Sequence, residues 1–223
     1  MPIFSEGTVL PAPSRADRKI QSVSRWHCTI HAVRGEGAGT RMQCESKLEM
    51  DHQSLQFAQP DVADVVEQAY FKFGWRNEKW HVFDMLVTKA SGERVACTVK
   101  PTSLLHSKNF LEKMEVVAWW VQEKNFASSV RLLTEADIDQ VALHNANINA
   151  SVNDRDPDAE NAVRTVACRL RGAISIKALT DEVGLRERGY RAILQLISKR
   201  ELQPLRHERT TPQTLIQWKG LQS

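Results

Sequence analysis

Apolar positions along this chain fall into two rhythms, one helical and one alternating. Leu48, Leu55 and Phe57 among polar neighbours predict a helix over Glu45–Ala58, which Pro60 ends. Asp61–Glu67 reads as a short turn into a strand over Ala69–Trp75, where aromatics stand at Tyr70, Phe71, Phe73 and Trp75. Trp80–Thr88 and Arg94–Lys100 read as two further strands. The segment KASGE joins them, with Ser91-Gly92 marking a hairpin turn, and Pro101 stops the second strand. Phe110, Leu111, Met114, Val117, Ala118 and Val121 share one face of a helix over Ser107–Lys124. Val130–Leu133 is a fourth strand candidate, and Thr134 followed by an acidic turn caps another helix. The order predicts an α/β domain with a mixed sheet covered on both faces.

This domain is flanked on each side. Pro2, Pro11, Pro13, several basic residues and GEGAG at 35–39 make residues 1–40 read as an extended basic arm with a turn. The polar stretch ASVNDRDPDAE at 150–160 reads as a linker. Three helical segments follow, Glu160–Arg171, Ser175–Val183 and Glu187–Lys199. Ser175 to Leu185 has the form of the first helix and turn of a helix-turn-helix, with Gly184 making the turn. Arg186 to Arg200 would be its recognition helix, and Leu205–Trp218 a hairpin wing with its tip near Thr210–Gln213. The expected organisation is an arm over 1–40, an α/β domain over 41–152 and a winged-helix domain over 153–223. A winged helix of this kind serves DNA contact or protein docking, and the pattern fits both.

Charge sharpens the second half of that picture. The 223 residues carry a net charge of only +3, yet Ala162–Ser223 holds 12 Lys/Arg against 5 Asp/Glu. A basic C-terminal module points to nucleic acid as partner, with Arg186, Arg188 and Arg191 as the phosphate-contacting candidates. The longest strongly apolar run, Val116–Val121, is six residues, where a membrane span needs about 20. The N-terminus lacks the apolar core of a secretory signal, so a cytoplasmic, membrane-free setting is expected. Four scattered cysteines without a CxxC pair argue against a disulfide framework. His27, Cys28, His31 and Cys44 do not have the spacing of a zinc finger, and Trp26 and Cys28 read as packing residues. Trp75 and Trp80 read as sheet packing, with DNA-base contact as the alternative, and Trp119 and Trp120 as core and interface ahead of a stacking platform.

One constellation carries chemistry. Asp84 lies on one strand of the hairpin, Thr98 and Lys100 stand two apart on the next, and Glu45 and Glu49 come from the preceding helix. Residues two apart on a strand face the same side. Hard oxygen ligands of this kind hold Mg²⁺, which polarises a phosphodiester and acidifies a bound water. A lysine beside them orients that water or neutralises the charge that develops on phosphorus.

The strings ESKLEMDHQSLQFAQPDVADVVEQAYF, FDMLV, TVKP, FLEKMEVVAWW and LLTEADID, with Asn145 and Asn147 downstream, resemble the TnsA transposon endonucleases over about residues 40–150. SRADRKIQSVSR is similar to that family's basic lead-in. The resemblance implies a restriction-endonuclease-like catalytic domain followed by a winged-helix domain. It also implies Mg²⁺-dependent cleavage of the 5′ ends of a bacterial transposon (Mn²⁺ substituting), beside a TnsB-like transposase that cuts the 3′ ends and a TnsC-like ATPase regulator. The family's helix glutamate matches Glu49, its strand aspartate Asp84 and its lysine Lys100, followed as usual by Pro101. Two positions depart from the pattern. Phe83 replaces a common proline, and Thr98 stands where the family has Glu or Gln. A metal set of Glu49, Asp84, Thr98 and the Val99 carbonyl carries two negative charges instead of three, with Glu45 or Glu115 as further carboxylates that could lean in. Thr98 leaves open a second reading, a catalytically silent DNA-binding or assembly factor of the same complex. A third, a winged-helix regulator, gives no reason to place Glu49, Asp84 and Lys100 together.

Overall fold

Two strands precede the first helix where the sequence predicts an extended arm. β1 (Ile30–Arg34) and β2 (Thr40–Cys44) pair antiparallel around the glycine-rich turn. Gly39 sits at φ +68°, and a Cβ there would meet the Arg34 carbonyl oxygen at 2.8 Å, so the turn needs glycine. These elements belong to a computed structural model that describes residues 10–18, 29–35, 37–152 and 155–220. Residues 1–9 and 19–28 of the predicted arm, with Trp26, His27 and Cys28, lie outside the described residues.

α1 (Lys47–Phe57) starts at Ser46, whose side chain accepts the Glu49 N–H. β3 (Val62–Phe73) then runs through the segment expected to be a turn and pairs antiparallel with β4 (Lys79–Lys89). β4 pairs antiparallel with β5 (Arg94–Val99), and β5 pairs in parallel with β6 (Ser129–Leu133). The result is a mixed four-stranded sheet in the order β3-β4-β5-β6. α2 (Lys108–Glu123) makes the crossover that a parallel pair requires.

The sheet has a core on each face. Phe71, Phe73, Phe83 and Ala96 pack with Met114, Val117 and Val121 of α2. Val65, Met85, Val87, Cys97 and Val99 pack on the other face with Met42, and with Leu48 and Phe57 of α1. Odd-numbered residues of β3 and β4 therefore change faces along the strand, between Val65 and Ala69 and between Phe83 and Met85. Strict alternation cannot do this. Gln68 supplies the break on β3, with a left-handed φ of 50°, and the pairs on either side of it place Asp84 across from it. Both strands change faces at one level, so their register survives.

Thr134 caps a single 3₁₀ turn, Glu135–Asp137, instead of a helix. α3 (Gln140–Ala150) starts separately at Asp139, whose carboxylate accepts two backbone N–H groups. The chain divides into two compact units at Ile138/Asp139, so α3 belongs with the C-terminal unit and not with the sheet as predicted. That unit continues with α4 (Pro157–Ala167), the two-residue strand β7 (Ile174–Ser175), α5 (Ile176–Val183) and α6 (Arg186–Ser198). β8 (Leu202–Pro204) and β9 (Leu215–Trp218) complete an antiparallel sheet in the order β7-β9-β8. Its core gathers Val163, Ile176, Leu179, Ile193, Leu196 and Ile216. Gly184 ends α5 at φ +73°, the left-handed cap expected of it. No helix among the described residues is long and apolar enough to cross a membrane.

Candidate active site

The polar side of α1 faces inward. Glu49, His52 and Gln53 are buried, so burial on this helix does not follow its sparse apolar positions. Glu49 is 5% exposed and lies three residues after the N-cap. Its carboxylate accepts the Glu45 N–H and the Ser46 hydroxyl, each at 2.9 Å. This fixes the side chain at the helix start, where a negative charge is favoured. His52 bonds the Thr134 carbonyl at 2.8 Å and ties α1 to the end of β6.

Asp84, 6% exposed, occupies the level where the strands change faces. The β4–β5 ladder ends at Met85–Cys97, and beyond it the Asp84 carboxylate accepts the Val99 N–H at 2.7 Å. Lys100 Nζ stands 3.6 Å from the same carboxylate oxygen. Lys100 is held in turn by its own N–H, which donates to the Leu133 carbonyl of the parallel neighbour. The Asp84 and Lys100 charges both act on the Glu49 carboxylate, so the three groups gather from a helix start, a strand break and a strand end.

The electrostatics of the pair are strained. Burial raises the Glu49 pKa, the Asp84 charge raises it further, and its hydrogen bonds and Lys100 do not cancel the rise. Burial likewise raises Asp84, against the pull of Lys100 and the Val99 N–H. Buried Cys44 has its thiol pushed up to about 12, by burial first and then by Glu49 and Glu67. Two carboxylates that resist ionisation, beside one ammonium, form a pocket short of positive charge. Among the described residues no group of three or more His, Cys, Asp or Glu side chains is placed to hold a metal ion. A bound divalent cation would thus rest on Glu49 and Asp84, with carbonyl and water oxygens filling its shell. Mg²⁺ accepts such a set.

Thr98 is not brought to this pair. It is 1% exposed, and its hydroxyl lies 3.2 Å from His81 Nε2. Its neighbours Cys97 and Val99 face α1, and His81 packs edge-on against Phe83 in the α2-side core. Thr98 therefore points to the face away from Glu49, because β5 keeps its alternation where β4 breaks it. Glu45 is engaged by Arg18 at 2.6 Å, and Glu115 is exposed on α2. Two buried polar residues lie at this level without having been singled out in sequence, Glu67 and Gln68. Glu67 accepts the Ser14 hydroxyl and Gln68 accepts Arg18, so both tie the N-terminal segment to the β3 edge. The signal was the polar pair interrupting the apolar run VVEQAYF.

The arginines of α6 are partly committed already. Arg186 is exposed and starts the helix at φ +48°. Arg188 makes two bonds to Asp156, at 2.7 and 2.9 Å, holding that carboxyl down at about 2. Arg191 is half-buried and lines a cavity of about 370 Å³ with Arg155, Asp156, Pro157, Arg188 and Gln195. Farther along, Ala192 to Leu196 are all buried, and Gln195 donates to the Val152 carbonyl at 2.8 Å. The exposed positions of α6 are Arg186, Glu187 and Arg188 in its first turn and Ser198 at its end, with the stretch between them buried or half-buried. Asn145 clamps the 208–210 loop, donating to the Glu208 carbonyl and accepting the Thr210 N–H.

No protein-family model matches the chain, and a search of curated proteins finds no significant relative.

Proposed function

We propose that this protein is a Mg²⁺-dependent DNA endonuclease of the TnsA type. It would cut the 5′ ends of a transposon as one subunit of a heteromeric transposase. The observation that carries the reading is the buried pair Glu49 and Asp84 with Lys100 3.6 Å from Asp84, at the end of a mixed sheet. A structural ion pair would balance its charges, and this one leaves a carboxylate in excess in a buried setting. A strand broken at its aspartate and a lysine at the end of the next strand support a restriction-endonuclease-like domain. Three helices with a small antiparallel sheet support a winged-helix domain.

In this reading Glu49 and Asp84 hold the cation, with the Val99 carbonyl beside them. The bound ion supplies Lewis-acid polarisation of the phosphodiester and an acidified water. The Val99 N–H aims Asp84, and Ser46 and the Glu45 N–H aim Glu49. Lys100 presents its ammonium to charge developing on the phosphate. Thr98 takes no part in the set. It holds His81, whose pKa burial and two nearby lysines lower to about 4, so the imidazole there is neutral. The open first turn of α6, with Arg186 and Arg188, offers a phosphate contact for end DNA.

The test is strand cleavage at a labelled transposon end, with a TnsB-like transposase, a TnsC-like ATPase and Mg²⁺ present. Wild type is expected to cut the 5′ strand, with that cut absent in Asp84→Ala and Lys100→Ala. Cleavage confined to the 3′ ends and unchanged by either substitution would identify a silent assembly factor.

A further inference from the structure

Packing was the sequence expectation for Trp80 and Trp75, yet they are 61% and 85% exposed. They flank the turn between β3 and β4 and belong to different faces. Trp75 meets Trp120 of α2 edge-on, on the α2 side. Trp80 lies across from Lys72, and Tyr70 across from Val82. Phe71, Phe73 and Phe83 point into the α2-side core, so alternation puts Tyr70, Lys72, Trp80 and Val82 on the other face. Trp80 stacks on Tyr70 at 5.9 Å and 22°, and Lys72 Nζ sits 5.8 Å from the Tyr70 ring centre.

That face is also the one Glu49 and α1 occupy farther down. Trp80 and Val82 alternate along β4 on this face toward the level of Asp84, whose charge acts on Glu49 of α1. Four residues of strand separate the Trp80 ring from the Asp84 carboxylate, roughly 13 Å of backbone. α1 packs on the Val65–Met85 end of this face, while at the other end Lys72 and Trp80 are exposed and Tyr70 and Val82 half-buried.

We propose that Tyr70, Lys72 and Trp80 form a stacking platform for unpaired DNA bases, leading the strand into the Glu49–Asp84 site. The proposal rests on the nuclease reading for its direction along the sheet, but binding at the platform stands by itself. Stacked aromatics with adjacent cations recognise single-stranded nucleic acid, since every base offers a π-face and every linkage a negative charge. Charge favours this occupant. Residues 69–82 hold Lys72, Arg76 and Lys79 against Glu78 alone, and the Glu78 carboxylate is engaged by the Arg76 N–H. Asp17, the carboxylate at Tyr70, accepts the Tyr70 N–H.

The experiment measures anisotropy of a labelled oligo-dT strand and of a duplex, with the full chain in EDTA so that nothing is cut. Trp80→Ala is expected to weaken oligo-dT binding roughly 5- to 150-fold. Trp80→Phe should retain most of the affinity, and Lys72→Glu should weaken binding and flatten its salt dependence. Trp75→Ala, on the opposite face, should change little. Unchanged affinity in Trp80→Ala, an equal loss in Trp75→Ala, or the absence of oligo-dT binding by wild type would each overturn the platform. So would a Trp80→Ala defect confined to binding the transposase. Asp84→Ala separates the two readings, since it should keep oligo-dT binding while losing cleavage. Trp80-dependent binding by a protein that never cuts would keep the platform and sink the nuclease.

Discussion

Glu49 and Asp84 in the N-terminal unit and Glu160 in the C-terminal unit are all buried carboxylates, yet their surroundings push them in opposite directions. Glu160 has Lys199 at 2.7 Å and Arg164 at 3.1 Å, and Arg164 also makes two bonds to Glu201. Burial pushes the Glu160 pKa up, but its cations overcome this and hold it below the ordinary value. Glu49 and Asp84 share one lysine at a longer distance, and burial wins. The first cluster is saturated by its own chain and needs nothing more. The second is left short of positive charge, which is the condition in which a bound cation or a phosphate-bound cation gains most.

Activity gives the largest expected contrast. Asp84→Asn should lower 5′-strand cleavage by at least about a hundredfold, while thermal stability stays level or rises because a carboxylate whose burial outweighs its lysine and its N–H partner is gone. Glu160→Gln should do the reverse. It leaves cleavage chemistry intact and destabilises the C-terminal unit by roughly 1–3 kcal/mol, less than a fully buried pair because Arg164 and Lys199 reach water. A large stability loss in Asp84→Asn would put both clusters in one structural class.

The contrast also has a sign in pH. Asp84 and Glu49 have raised pKa values, so acidification through them removes a penalty and favours folding of the N-terminal unit. Glu160 and Asp156 have lowered values, so their contribution is full above the ordinary carboxylate pKa and is lost as pH falls through the folded one. His81 opposes the first trend. Its pKa of about 4 against an ordinary 6.5 means stability is full above pH 6.5 and declines toward pH 4. The loss is up to about 3 kcal/mol. Chemical denaturation of wild type and His81→Phe between pH 7 and 4 checks this, with a flatter profile expected in the variant. The smallest effect belongs to Arg188→Ala. Its pair with Asp156 is solvent-exposed, so stability should hardly change while affinity for duplex DNA falls and loses salt dependence.

The sequence was most legible where side-chain period and burial agree. The α2 helix follows from Met114, Val117 and Val121, and the β4–β5 hairpin from its alternation and the Ser91-Gly92 turn. It was least legible where function or geometry overrides the period. Asp61–Glu67 reads as a turn because polar residues interrupt an apolar run, whereas β3 runs through it and changes faces at Gln68. Thr98 and Lys100 are two apart and were expected on one side, but the strand ends between them and only Lys100 turns to Asp84. Local charge misled as well. The excess over Ala162–Ser223 omits Asp139, Asp154, Asp156, Asp158 and Glu160, and the whole unit Asp139–Ser223 holds 13 Lys/Arg against 10 Asp/Glu. Asp156 and Glu160 pair with the very cations that looked available.

On the proposed reading, Glu49 and Asp84 are buried together and short of positive charge in order to hold a divalent cation. Thermal unfolding of the full chain across a Mg²⁺ titration tests it most directly, with wild type beside Asp84→Asn and Glu160→Gln. Wild type and Glu160→Gln should gain stability with the logarithm of Mg²⁺ once binding begins, and Asp84→Asn should gain none. An equal Mg²⁺ response in wild type and Asp84→Asn would contradict the claim and return the pair to an unexplained buried polar cluster.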